Sequence, residues 1–186
     1  MIVSLAQLKD YLGIMDSSSD SRLQTALNGV EVMVRVYCAR DFTLDTYTEN
    51  ALFQYPRDGY QTRQYPIVSI AGLTVSDVLW KEGVDYWVNR STGVFTFLDG
   101  LVSPHTTLAI TYAAGYTAST YPHVLVSAIL EQAACNYQGQ GSSMLLSERL
   151  GDRQYTKVSS QAGSGGLSPL VEGMLSGLRS ALFDTL

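Results

Sequence analysis

The chain has 186 residues, 46% apolar and 16% charged, with a net charge of −5 and a pI near 4.9. That length fits one domain with a small appendage, and the apolar share is too high for a wholly disordered chain. The acidic balance argues against a protein that grips nucleic acid by its phosphates, and no run of about 18 apolar residues offers a membrane-spanning helix.

Met1–Leu5 lacks the basic start and long apolar stretch of a signal peptide. Cys38 and Cys135 stand far apart, each in apolar helical texture. They are expected to be buried, reduced thiols of a chain made in a cytoplasm rather than parts of a disulfide framework.

Two helices are expected first. Ser4 and Gln7 form a capping-box pattern over residues 4–13, with Leu5, Leu8 and Leu12 at helical spacing before Gly13. Asp20 then reads as the N-cap of a helix over 20–38, whose stripe is Leu23, Leu27, Val30, Val34 and Tyr37. Val32, Met33 and Val36 fall off that stripe, so this helix is either central to a core or packed against a neighbouring subunit. Between 44 and 116 the texture turns β-rich, with strands expected at Ala51–Tyr55, Val68–Val75, Tyr86–Asn89, Val94–Leu98 and Leu108–Tyr112. Tyr86–Asn89 and Val94–Phe97, joined through Gly93, form the clearest hairpin.

A helix over 122–138 follows Pro122, with Leu125, Ala128, Ile129, Ala133 and Tyr137 on one face. Residues 140–168 are rich in Gly, Ser and Gln and read as a flexible arm. Ser168 and Pro169 then open a last helix within 169–186, with Leu170, Met174, Leu175, Leu178, Leu182 and Phe183 available for its apolar side. Strands flanked by helices make this an α+β fold. A core is expected over 1–139, the arm over 140–168 and a separate last helix over 169–186.

Chemistry is sparsely represented. His105 falls in a turn and His123 at a helix start, neither cysteine lies in a nucleophile motif, and Asp16 and Asp20 lack the rest of a calcium loop. No metal-ligand spacing and no phosphate loop is present, so no catalytic residue, metal or cofactor is expected. Arg149, Arg153 and Lys157, diluted by Glu148 and Asp152, form the densest cationic stretch and read first as a solvated face. The 12 tyrosines suit either sheet packing or contacts with other subunits. Residues 44–120 hold seven acids against four bases, a negative surface over which DNA could slide without sticking.

The layout resembles the head–tail connector (adaptor, head-completion) proteins of tailed phages. The resemblance is carried by Ser4-Leu5-Ala6-Gln7-Leu8-Lys9-Asp10-Tyr11-Leu12-Gly13-Ile14 and by Val36-Tyr37-Cys38-Ala39-Arg40-Asp41-Phe42. It continues through Tyr65-Pro66-Ile67-Val68-Ser69-Ile70, Asp85-Tyr86-Trp87-Val88, Thr92-Gly93-Val94-Phe95 and Ile110-Thr111-Tyr112-Ala113-Ala114-Gly115-Tyr116. These landmarks span roughly residues 4–137 in the family's order.

The resemblance implies a non-enzymatic virion protein at the capsid–tail junction. It implies a ring of identical subunits, usually twelve, bound to the portal protein, bridging to a stopper or tail-completion protein and passing double-stranded DNA without reading its sequence, with no membrane partner. Leu170, Met174, Leu175, Leu178, Leu182 and Phe183 are then expected to meet the portal or a neighbouring subunit. Tyr86, Trp87, Arg149 and Arg153 are expected at inter-subunit or tail-side contacts. Two alternatives stay open: another phage ring protein, such as a stopper or tail terminator, and a small hydrolase using Glu82 and Asp85 near Trp87.

Overall fold

A computed structural model describes residues 1–139, 147–150, 153–156 and 166–179. The fold is α+β, and the chain divides into a helical unit, Met1–Cys38 with Tyr121–Arg179, and a β unit over Ala39–Thr120.

In the helical unit, α1 (Leu5–Leu12) starts at the expected capping box. The Gln7 amide donates to Ser4 Oγ at 3.2 Å, and the Ser4 amide donates back to Gln7 Oε1 at 2.8 Å. The long α2 (Asp20–Cys38) has its cap one residue before the predicted Asp20: the Ser19 carbonyl takes the Leu23 amide at 2.9 Å. Asp20 is instead in the first turn, where its carboxylate complements the helix dipole and meets Lys9 Nζ at 2.7 Å. Leu23, Leu27, Val30 and Val34 are fully buried. They pack with Leu125, Ala128, Ile129 and Ala133 of α3 (His123–Gly139), and α1 lies against both helices. Cys38 is buried, whereas Cys135 is exposed, contrary to expectation. At about 100° per residue, position 135 falls just outside Ala128 at the margin of the buried stripe, which centres on Leu125, Gln132 and Ile129.

The fourth helix, α4 (Pro169–Leu175), opens on the predicted Ser168 cap and Pro169, and one 3₁₀ turn over Ser176–Leu178 continues it. It packs on α3 of its own chain. Leu167, Val171 and Leu175 are fully buried, Gln132 Oε1 accepts the Ser168 amide at 2.8 Å, and the Tyr37 hydroxyl reaches the Glu172 carbonyl at 3.3 Å. Two short strands, β8 (Ser147–Leu150) and β9 (Arg153–Thr156), pair antiparallel within the stretch read as an arm.

The N-terminal segment is fixed by a residue the sequence did not single out. Glu31, 6% exposed on α2, accepts the amides of Ile2 at 2.5 Å and Val3 at 3.2 Å. This satisfies two donors that would otherwise be buried beside the side chains of Ile2 and Val3.

The β unit is two antiparallel sheets facing across one apolar layer. The larger has the order β1-β7-β3-β4, with β1 (Asp45–Phe53), β7 (Thr106–Ala114), β3 (Ile67–Val75) and β4 (Val78–Trp80). The smaller has the order β2-β6-β5, with β2 (Gly59–Gln61), β6 (Val94–Phe97) and β5 (Tyr86–Asn89). Phe53, Leu73, Leu108, Ile110 and Tyr112 from the first meet Tyr86, Phe95 and Phe97 from the second. Phe97 lies 6.1 Å from Phe53 and edge-on to Trp80 at 5.2 Å, within the range of favourable aromatic pairs. The predicted hairpin is present, with Tyr86 opposite Phe97 and Asn89 opposite Val94. Its loop turns at Gly93, where φ is 72° and a Cβ would strike the Thr62 hydroxyl.

Several landmarks of the family resemblance converge at one corner of this unit. Arg40, 3% exposed, has its guanidinium carbon 3.5 Å from the Tyr65 ring centroid and 4.9 Å from that of Phe42, and it donates to the Tyr65 carbonyl. The Tyr116 amide donates to the Phe42 carbonyl at 2.8 Å, and the Gly115 amide to the Pro66 carbonyl at 3.0 Å. At Gly115 φ is 115°, and a Cβ would lie 2.5 Å from the Thr43 carbonyl oxygen, so the strand end passes too close for any side chain. Beside this corner Glu49 accepts the Tyr60 hydroxyl at 2.7 Å, the Arg63 amide at 3.0 Å and the Tyr112 hydroxyl.

Two outcomes follow from these polar nodes. Glu31→Ala leaves two buried amides unpaired and should cost about 1–3 kcal/mol in urea unfolding; unchanged stability would remove the clamp from the account. Burial, reinforced by the bond to Glu49, raises the Tyr60 and Tyr112 phenols above the ordinary tyrosine range. The native state therefore keeps protons that the unfolded chain gives up, so this stability is present below about pH 10 and is lost as pH rises further. In an alkaline absorbance titration their ionisation should coincide with loss of the near-ultraviolet dichroism. Ionisation of every tyrosine in the still-folded protein would contradict it.

Candidate assembly surfaces

Strand alternation separates the aromatic pair expected at a contact surface. Tyr86 points inward, is 3% exposed and stacks on Phe95 with centroids 5.4 Å apart. Trp87 points outward and is 59% exposed. Across the small sheet it is followed by Thr96 and then Gly59, and the next outward row is Asn89, Val94 and Gln61. Small and uncharged neighbours leave the indole standing above an open groove of about 770 Å³, lined by Trp87, Asn89, Arg90, Thr92, Val94 and Thr96. An exposed indole over a groove whose one charged lining residue, Arg90, is paired with Glu82 suits burial against another protein, because aromatic anchors carry much of the energy of interfaces.

The two carboxylates next to Trp87 are engaged locally. Glu82 takes Arg90 Nη2 at 2.7 and 3.0 Å, and Asp85 Oδ2 accepts the Lys81 amide at 2.7 Å. They form an ion pair, in which one Arg90 nitrogen reaches both Glu82 oxygens, and a turn cap, not a paired acid and base facing a cleft. Among the described residues no group of histidine, cysteine or carboxylate side chains could hold a metal ion. None of the described helices is long and apolar enough to cross a membrane.

The residues of the expected docking helix divide as well. Leu175 is fully buried in its own unit, Met174 and Leu178 are half-buried, and Leu170 is 62% exposed. Leu182 and Phe183 lie outside the described residues, as does Lys157, while Arg149 and Arg153 sit on β8 and β9. The tyrosines serve packing first: Tyr112 and Tyr86 are buried, Tyr47 and Tyr60 are half-buried against the core, and Tyr55 is 71% exposed. On α2, Val32, Met33 and Val36 were expected either inside a core or against a neighbouring subunit; Val32 is 59% and Val36 is 73% exposed, so the core of this chain does not take those two.

Among curated proteins nothing matches this chain. Solved structures with a similar fold come from gene transfer agent particles. A chain in the neck of an empty particle, computed with C6 symmetry, aligns with a TM-score of 0.57 and 14% identity over 97% of this chain and 90% of that one. A chain in the neck of a native particle, computed with C12 symmetry, gives 0.56 and 15% over the same shares. A chain of the native virion gives 0.59 and 14%, again over 97% and 90%. At such identity the likeness is one of fold.

The family model that matches is that of the head completion protein, and it covers residues 1–137. It takes in the capping box, the Arg40 corner and the Trp87 hairpin in one alignment, and by that match the chain belongs to the head completion protein family.

Proposed function

We propose that this protein is a structural component of the head–tail junction of a tailed phage or phage-like particle, an adaptor that forms a ring against the portal. The reading rests above all on the family match over residues 1–137. A fold shared with neck chains in assemblies of C6 and C12 symmetry supports a ring of identical copies, with twelve the expected number. The ring would join the portal to a stopper or tail-completion protein and extend the channel for double-stranded DNA. The net charge of −5 suits a passage that DNA crosses without adhering. Its role is to hold and align partners, and the family is one of structural proteins rather than enzymes.

Within this reading Trp87 anchors an inter-subunit or tail-side contact, because a large exposed indole is the side chain whose burial contributes most. Leu170, with the accessible parts of Met174 and Leu178, is the portal or neighbour contact on α4. Leu175 and Val171 hold that helix to its own chain. Arg149 and Arg153 would meet an acidic surface of a neighbouring copy.

The test is light scattering across a concentration series with negative-stain images, for the chain alone and mixed with its portal protein. Closed rings are the expected product. Trp87→Lys should reduce ring formation sharply while shifting unfolding by no more than about 0.5 kcal/mol, as for an ordinary surface change. Wild-type chains that stay monomeric both alone and with the portal would overturn the adaptor reading.

A further inference from the structure

The β unit has four sheet edges, and three of them are short. β4 and β2 have three residues each and β5 has four. The fourth edge, β1, runs for nine residues in unbroken register with β7 from Asp45 to Phe53, and among the described residues it pairs with no other strand.

Proteins usually blunt such an edge with lysine, proline, a bulge or a short strand. β1 has no Lys or Pro and no register shift. Its inward side chains are Tyr47, Ala51 and Phe53, which pack on the core, and Glu49, whose charge is already engaged by Tyr60, Tyr112 and the Arg63 amide, while Thr46, Thr48, Asn50 and Leu52 face out, uncharged and exposed. An unprotected row of backbone donors and acceptors this long is a template for an added strand.

A second element of the same chain lacks what β1 offers. β8 and β9 pair only with each other among the described residues, four residues against four. A lone two-stranded hairpin is marginal in water and gains stability from a third strand.

We infer that the β8–β9 hairpin of one copy adds to the free edge of β1 in the next copy, extending its four-stranded sheet across the subunit boundary. This inference rests on the ring reading above. Charge favours the pairing: residues 147–157 carry three bases against two acids, and residues 39–120 carry eight acids against five bases. The competing arrangement, β1 against β1 of a second copy centred on its middle residue, would set Glu49 opposite Glu49, a destabilising like-charge pair. It would also be two-fold and closed at a dimer, whereas hairpin-to-edge contact is head-to-tail and can propagate around a ring.

The test uses full-length chains in which the exposed Cys135 is replaced by serine and the buried Cys38 is kept. One preparation carries Asn50→Cys on β1 and the other Gln154→Cys on β9. Each alone and an equal mixture are treated with a short bismaleimide, with light scattering on the same samples. The expected result is a crosslinked dimer in the mixture and in neither preparation alone; because each chain bears one new thiol, an intrachain pairing cannot produce it.

Multimers by scattering with no mixed crosslink would overturn the strand addition and leave the ring reading standing. A crosslink from Asn50→Cys alone would establish β1-to-β1 pairing and overturn it too. Chains that remain monomeric, with and without portal protein, would take down the ring reading and the strand exchange together.

Discussion

A buried cation organises the β unit. Arg40 lies between the faces of Tyr65 and Phe42, is 3% exposed and donates only to the Tyr65 carbonyl, while its Nε and Nη1 find no hydrogen-bond partner among the described residues. Leaving a desolvated guanidinium partly unpaired costs free energy, and the two ring faces offset it by presenting their negative quadrupoles to the charge. Everything around the cation is then constrained. The Phe42 carbonyl must face Tyr116, the Pro66 carbonyl must face Gly115, and Gln64 reaches back to the Asp41 amide at 2.9 Å. Three segments far apart in sequence are thereby fixed at one end of the larger sheet, and the register of β1 and β3 against β7 starts from that corner.

Glu49 acts in the same way from inside the sheet pair. Its carboxylate gathers the phenols of Tyr60 and Tyr112 and the Arg63 amide, tying β1 to β7, to β2 and to the chain beyond β2. Burial, reinforced by those bonds, holds both phenols in their neutral form. Two phenols with raised pKa values are poorly suited to moving protons at ordinary pH. With Glu82 bound to Arg90 and Asp85 to the Lys81 amide, the polar groups that might have suggested a hydrolase serve the architecture instead.

The local rules of helices and hairpins were readable in the sequence because they act between near neighbours. Ser4 with Gln7, the stripes on α2 and α3, Ser168 with Pro169, and the β5–β6 pair all appear where spacing placed them. The β2 and β4 strands, three residues each, are too short to show a period of two, and β8 with β9 lies in a Gly, Ser and Gln-rich stretch whose composition reads as an arm. The partners of Glu31, Glu49 and Arg40, the last quoted only as part of a landmark, were invisible for a different reason. Each of these three side chains acts on backbone or phenols between 11 and 63 positions away, and a single charged residue in a pattern gives no sign of where its partner will come. Sequence placed Tyr86 and Trp87 together as contact residues, and only the strand register decides that one faces the core and the other faces out.

The contrast between what is buried and what is exposed bears most directly on role. Buried polar side chains in this molecule are tied largely to internal partners, while sizeable apolar side chains remain outside on several elements: Trp87 on β5, Leu52 on β1, Leu170 on α4, and Val32 and Val36 on α2. Single exposed apolar residues are ordinary in soluble proteins. Here, however, the exposed indole stands over a groove whose one charged lining residue is paired with Glu82, Leu52 borders a strand edge that is unpaired among the described residues, and Leu170 sits on a helix whose other face is already committed to its own core. A monomer gains nothing from such placements, since each leaves apolar surface in water. They become favourable when several copies or partners bury them at once, which is what the proposed ring would do.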